Sequence, residues 1–102
     1  MSKPEPQTAL PTVRPLVDVF ENGSEFLLVA DLPGVTHEGL ELLVDEGELA
    51  LSATAGNHRY ERRFELADSV DAEAIEAKLE RGELRVHLPK RSEAQVRRVP
   101  IH

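Results

Sequence analysis

A chain of 102 residues has room for one domain, and 40% hydrophobic content supports a core, but 4% aromatics and no Trp leave that core to Leu, Val, Ile and Ala. The absence of cysteine excludes a disulfide framework, a thiolate nucleophile and a Cys-based zinc site, and it suits a reducing cytoplasm. A formal net charge of -7 argues against general affinity for nucleic acid or an anionic membrane, and no stretch approaches the roughly 20 apolar residues that span a bilayer.

Pro4, Pro6, Pro11 and Pro15 crowd the start, which carries no apolar run that reads as a signal peptide or an anchor. Residues 1–13 are therefore expected to be a flexible arm, 14–90 the folded domain and 91–102 a C-terminal extension. Inside the domain the pattern has a period of two. Leu16 to Phe20 is one run, closed by the turn signal Asn22-Gly23. Glu25 to Leu32 is almost continuously apolar, as for a strand covered on both faces, and it stops at Pro33-Gly34.

Leu40, Leu42 and Val44 alternate with Glu41, Leu43 and Asp45, and the Glu46-Gly47 turn leads to Leu49, Leu51 and Ala53. Gly56-Asn57 breaks that run, and Tyr60 to Leu66 resumes it with Phe64 and Leu66 on one face. The stretch DAEAIEAKLE holds good helix formers, but it is short and runs straight into a glycine turn. It reads as a helical turn followed by a short strand through Ile75, Ala77 and Leu79. After Arg81-Gly82, Leu84, Val86 and Leu88 alternate with Arg85 and His87 until Pro89. Short strands with frequent turns and no long helix predict an all-β, immunoglobulin-like sandwich of about seven to eight antiparallel strands.

The sequence carries no nucleotide-binding, zinc-protease or nucleophile-elbow motif. His37, His58, His87 and His102 lack a His or Cys partner at ligand spacing, so no metal and no cofactor is expected. The many carboxylates read as a solubilising surface, and so short a chain leaves little room for a deep pocket. An enzyme is not expected. The basic clusters Arg59/Arg62/Arg63 and Lys90 to Arg98 lack interleaved aromatics and read as solvated faces or intersubunit ion pairs.

The last residues, RRVPIH, put Val99 and Ile101 on a stretch that Pro100 keeps extended. Such a segment suits being held by a surface.

Ala77 to Leu84, with Ala77, Gly82 and Leu84 in place and Arg81 where Asn or Asp is common, resembles the A-x-x-x-n-G-x-L signature of the α-crystallin domain of small heat-shock proteins. Asp31-Leu32-Pro33-Gly34-Val35, Arg62 to Leu66, Val70-Asp71 through Ile75, and Val99-Pro100-Ile101 resemble further pieces of that family in the same order. The resemblance implies an ATP-independent holdase of the stress response, whose partners are partly unfolded client proteins, with neither nucleic acid nor membrane involved. It also implies that Val99, Pro100 and Ile101 anchor in a neighbouring subunit, in a groove between Leu40, Leu42 and Val44 on one side and Ile75, Ala77 and Leu79 on the other.

Burying Val99 and Ile101 would contribute roughly 1.5–3 kcal/mol each. Ordering the tail costs about 1–2 kcal/mol per residue, so one tail binds weakly and reversibly. The four residues Gly56 to Arg59 are too few for the exchanged strand of bacterial and plant members. Pairing of the Tyr60 to Leu66 edge with its symmetry mate is the expected substitute, with Arg62 and Phe64 at the dimer interface. The short arm implies a small assembly, a homodimer or a small oligomer linked through the C-terminal motif. The alternative function is a related sandwich that binds one dedicated folded partner.

Overall fold

The fold was obtained as a computed structural model that describes residues 10–95 and 99–102. Its two sheets follow directly from the alternation in the sequence. The strands are β1 (Thr12–Val13), β2 (Leu16–Glu21), β3 (Glu25–Asp31), β4 (Leu40–Asp45), β5 (Glu48–Ala55), β6 (His58–Glu65), β7 (Glu76–Glu80) and β8 (Glu83–Pro89). One sheet has the order β1-β6-β5-β4 and the other β2-β3-β8-β7. All neighbours are antiparallel except β1, which lies parallel to β6.

Register decides which side chains face inward. Leu49, Leu51 and Ala53 of β5 pair with Val44, Leu42 and Leu40 of β4 and with Phe64, Arg62 and Tyr60 of β6. In the second sheet Leu28 and Ala30 pair with Val86 and Leu84, and those two in turn with Ala77 and Leu79. The central strands supply a sealed core: Leu49, Leu51, Ala53, Leu28, Ala30, Leu84 and Val86 are each at most 2% exposed. Leu32, Val35, Tyr60, Val70 and Leu88 complete it, and no polar residue among those described is buried. A one-residue slip of β5 would turn all its leucines to solvent, so burial itself holds the register.

Two hairpins are closed by two residues in the left-handed region, Glu46-Gly47 (φ 47° and 78°) and Arg81-Gly82 (φ 50° and 77°). This turn type matches the right-handed twist of the flanking strands. Gly82 has a second reason to be glycine. Its carbonyl accepts from the Leu32 N–H at 2.6 Å, and a Cβ placed there would stand 3.1 Å from Leu32 O and Pro33 Cα. The sharp end of β3 and the β7–β8 turn are thereby locked together.

Several expectations shift. β6 starts at His58, because Gly56 and Asn57 suffice to turn the chain and Ala55 pairs with His58 directly. β3 is covered on one face only: Leu27 and Val29, on the outer side, remain half-buried because no third layer packs there among the described residues. Thr12–Val13, the end of the expected arm, is drawn onto the sheet as β1, with Arg59 N–H donating to Pro11 O at 2.9 Å. The helical turn before β7 is a 3-10 turn over Ala72–Ala74, capped by the Asp71 carboxylate accepting from Glu73 N–H at 3.1 Å.

Gly47 provides the control for Gly82, since a Cβ at Gly47 meets nothing within 4 Å at a similar φ. Gly47→Ala should lower stability by about 1 kcal/mol, the cost of the left-handed backbone alone. Gly82→Ala should lose more, about 2–3 kcal/mol, because strain and a steric clash add. Urea unfolding of the two variants measures the difference.

Candidate functional site

The core rows do not end at the central strands. β4 and β7 are the terminal strands of their sheets, and they carry the same inward-facing apolar row one strand further out. A half-open cleft lined by Val19 of β2 and Phe64 of β6 marks one flank of the sandwich, so β4 and β7 share the opposite flank. There the burial fails in a graded way. Leu40, Leu42 and Ile75 are half-buried, Val44 is 42% exposed, Ala77 is exposed, and only Leu79 is sealed. An inward-facing side chain on a terminal strand has no neighbour beyond it, so water reaches it from the side.

Ala77 therefore does not pack across the sandwich, although Leu84, its companion in the signature, is fully buried. Glu41, Asp45, Glu76 and Glu80 lie on the outer faces of the same two strands with Leu43 and with Lys78, which pairs with Glu80 at 3.5 Å, so the surround of this apolar flank is acidic on balance. Val99 and Ile101 stand 76% and 95% exposed, clear of their own sandwich. The structure thus brings the six sequence-predicted groove residues to one flank, as two half-open apolar rows, and leaves the Val-Pro-Ile segment outside.

The other flank is built differently. The cleft there, about 180 Å³, is lined by Val19, Phe26, Leu28, Leu49, Phe64, Leu66, Val70 and Leu88. It is smaller than the ~300–1,000 Å³ usual for a small-molecule site. Arg62 sits on the inner face of β6 rather than in solvent. Its guanidinium lies over the Phe64 ring, 5.0 Å from the centroid, and Nη1 donates to Pro15 O at 3.4 Å. Arg59 lies on the outer face, half-buried and donating from Nη2 to Ser52 Oγ at 2.8 Å, whereas Arg63 is exposed and pairs with Glu48 at 3.3 Å. The cluster is therefore not simply a solvated face, because alternation along β6 sends Arg62 inward and the other two outward.

The sequence model of the Hsp20/alpha crystallin family matches residues 18–102. The chain belongs to that family. It is 32% identical to heat shock protein 16 of Schizosaccharomyces pombe, over 82% of this chain and 71% of that protein. It is 28% identical to small heat shock protein C4 of Rickettsia felis, over 85% of this chain and 63% of that longer protein. Its fold superposes on the crystal structure of a small heat-shock protein from Xylella fastidiosa with a TM-score of 0.72 at 31% identity, covering 86% of this chain and 95% of that one.

Among the described residues no three His, Asp or Glu side chains converge as a metal site, and no helix is long and apolar enough to cross a membrane. His87 is an exposed strand histidine with Nδ1 3.1 Å from Glu25 Oε1. His58 packs edge-on against Tyr60, with ring centroids 4.8 Å apart. The residues that sequence reading missed are Val19, Phe26, Leu66 and Val70 around the cleft, and Thr12–Val13 over the β6 edge. A two-residue strand leaves no periodicity to detect. The only signal was the flanking Pro11 and Pro15, which keep that stretch extended.

The graded burial has a measurable consequence in the isolated chain. Leu51→Ala should destabilise by about 2–5 kcal/mol, as at a sealed core site. Leu42→Ala, directly opposite on the half-open strand, should lose roughly 1–2 kcal/mol because water already reaches the site. Urea midpoints at equal m-values would separate the two.

Proposed function

We propose that the chain is an ATP-independent holdase that captures partly unfolded proteins on the apolar flank of β4 and β7 and is itself regulated there by the Val-Pro-Ile segment. The observation that carries this reading is the pair of inward-facing rows left uncovered on two terminal strands, Leu40, Leu42 and Val44 beside Ala77. Such rows offer apolar area and free strand edges together, the two features that an unfolded segment can use without sequence specificity. No nucleotide is required, because capture proceeds by mass action on whatever apolar surface the client exposes.

The Val99-Pro100-Ile101 segment is matched to the same flank. It offers two apolar side chains on a stiff strand, and the tail sequence carries Arg91, Arg97 and Arg98, whereas Glu41, Asp45, Glu76 and Glu80 outnumber Lys78 on the outer faces of β4 and β7. The gain from burying the two side chains is largely offset by the cost of ordering the segment, so the contact exchanges readily and yields to clients. Two copies are joined along the β6 edge, with Arg62 and Phe64 near the contact, and tails then link such dimers into small oligomers. The site of action is the cytoplasm, in keeping with a chain free of cysteine.

The deciding experiment heats a labile model enzyme without ATP and follows its turbidity. Suppression near stoichiometric ratios is expected, with none from an inert acidic protein of equal size. No suppression at several-fold excess would overturn the holdase and leave a binding module for one folded partner. The tail is tested separately by light scattering. Val99→Ser/Ile101→Ser should lower the average mass while holding persists or improves, and equal masses would remove the tail from assembly.

A further inference from the structure

The outer face of β6 carries Arg59, Glu61, Arg63 and Glu65, a strict alternation of sign along one strand. Within the subunit their ion pairs are long, Arg59 with Glu61 at 3.8 Å and Arg63 with Glu48 at 3.3 Å, and Arg59 also donates to Ser52 Oγ at 2.8 Å. Two copies of a strand meeting edge to edge about a two-fold axis run antiparallel, and their faces match only when the axis passes through a residue. That condition leaves few registers.

An axis through Arg62 sets Glu61 against Arg63 of the second copy and Arg59 against Glu65, so every outer pair over residues 59–65 is of opposite charge. An axis through Glu61 sets Glu61 against itself and Arg59 against Arg63. An axis through Arg63 sets Arg63 against itself and Glu61 against Glu65. Like charges directly opposite one another weaken strand pairing. On the inner face the Arg62 axis brings Tyr60 against Phe64, an aromatic cross-strand pair. It also brings the two Arg62 residues together at the axis, each with its guanidinium drawn along the strand over Phe64.

The charge-matched register needs the whole strand, and part of it is taken. β1 holds Thr12 beside Arg59 and Val13 beside Tyr60, and the Arg59 N–H already donates to Pro11 O. With β1 in place the free edge runs from Glu61 to Glu65, whose midpoint is Arg63, the axis that opposes like charges. An axis through Phe64 avoids that conflict but overlaps only residues 63–65 of the strand.

We propose that β1 is a displaceable cover on β6, and that two copies pair in the register centred on Arg62 only when both covers have left. This rests on the self-pairing of β6 proposed above and adds its register and its control. β1 suits the role: it is two residues long, both exposed, and it is followed by the long Arg62 contact to Pro15 O at 3.4 Å. Docking of β1 and self-association are then alternatives for the same backbone groups.

Sedimentation velocity over a dilution series of the full chain tests both parts. Thr12→Gly/Val13→Gly weakens β1 and leaves the charges of β6 intact. Each dimer requires two covers released, so the cover's equilibrium enters the dimer constant squared, and the variant should dimerise at least about tenfold more tightly. An unchanged or weaker dimer overturns the cover. Glu61→Arg should weaken the dimer about tenfold, and Glu61→Arg/Arg63→Glu should return it to within about threefold of the starting protein. A tighter dimer from Glu61→Arg alone overturns the register, because an axis through Arg63 would turn the Glu61–Glu65 repulsion into attraction. If the starting protein and the glycine variant both stay monomeric at every concentration, the self-pairing itself is overturned, and the cover with it.

Discussion

Everything in this molecule depends on the inward-facing, mainly apolar rows that run across each sheet. In the middle of the sandwich those rows are sealed, with Leu51, Leu84 and Val86 pressed between two layers. They hold the strand register, because any one-residue slip would turn them outward. At the terminal strands the same rows meet water. A two-layer sandwich that does not close into a barrel must leave such edges, and the sequence keeps its apolar residues there instead of substituting charges. The half-open leucines of β4 are therefore the continuation of the core and not a separate patch added to it.

The two flanks answer this exposure in different ways. On the β4 and β7 side the inner row stays apolar to the end, with Leu40, Leu42, Val44 and Ala77, while acids ring it on the outer faces. That arrangement keeps the edge soluble yet leaves apolar surface within reach of an extended chain. On the β6 side an arginine is placed in the inner row itself. Arg62 lays its guanidinium over Phe64, which lines the small apolar cleft, and reaches the backbone of Pro15. One flank thus ends in apolar side chains, whereas the other carries a cation in its inner row.

A weak edge contact is also an adjustable one. Neither the short β1 pairing nor a tail holding two apolar side chains is strong enough to be permanent, given what ordering a flexible segment costs. Their value lies in exchange. A holding protein that binds by mass action has to hide its apolar rows when clients are scarce and release them when clients appear. Covers of marginal strength, as proposed for β1 and for the Val99-Pro100-Ile101 segment, would fit that requirement without any input of chemical energy.

Much of this was legible in the residues alone. The period of two placed the strands, and the Glu46-Gly47, Gly56-Asn57 and Arg81-Gly82 signals placed the hairpins, because alternation and left-handed turn residues are local properties of the chain. Alternation likewise assigns Leu40, Leu42 and Val44 to one face, but it was the family resemblance, not the pattern, that marked this face as a groove. Local pattern does not reveal how far along a sheet a strand sits. Only the tertiary structure made β4 and β7 terminal strands on a common flank, and so turned an ordinary core row into an accessible one. It also decided that Ala77 is exposed while Leu84 is buried, although the two are equally apolar in the sequence. The docking of Thr12–Val13 on β6 was equally out of reach, because a pairing between residues nearly fifty positions apart rests on backbone hydrogen bonds that no side-chain pattern encodes.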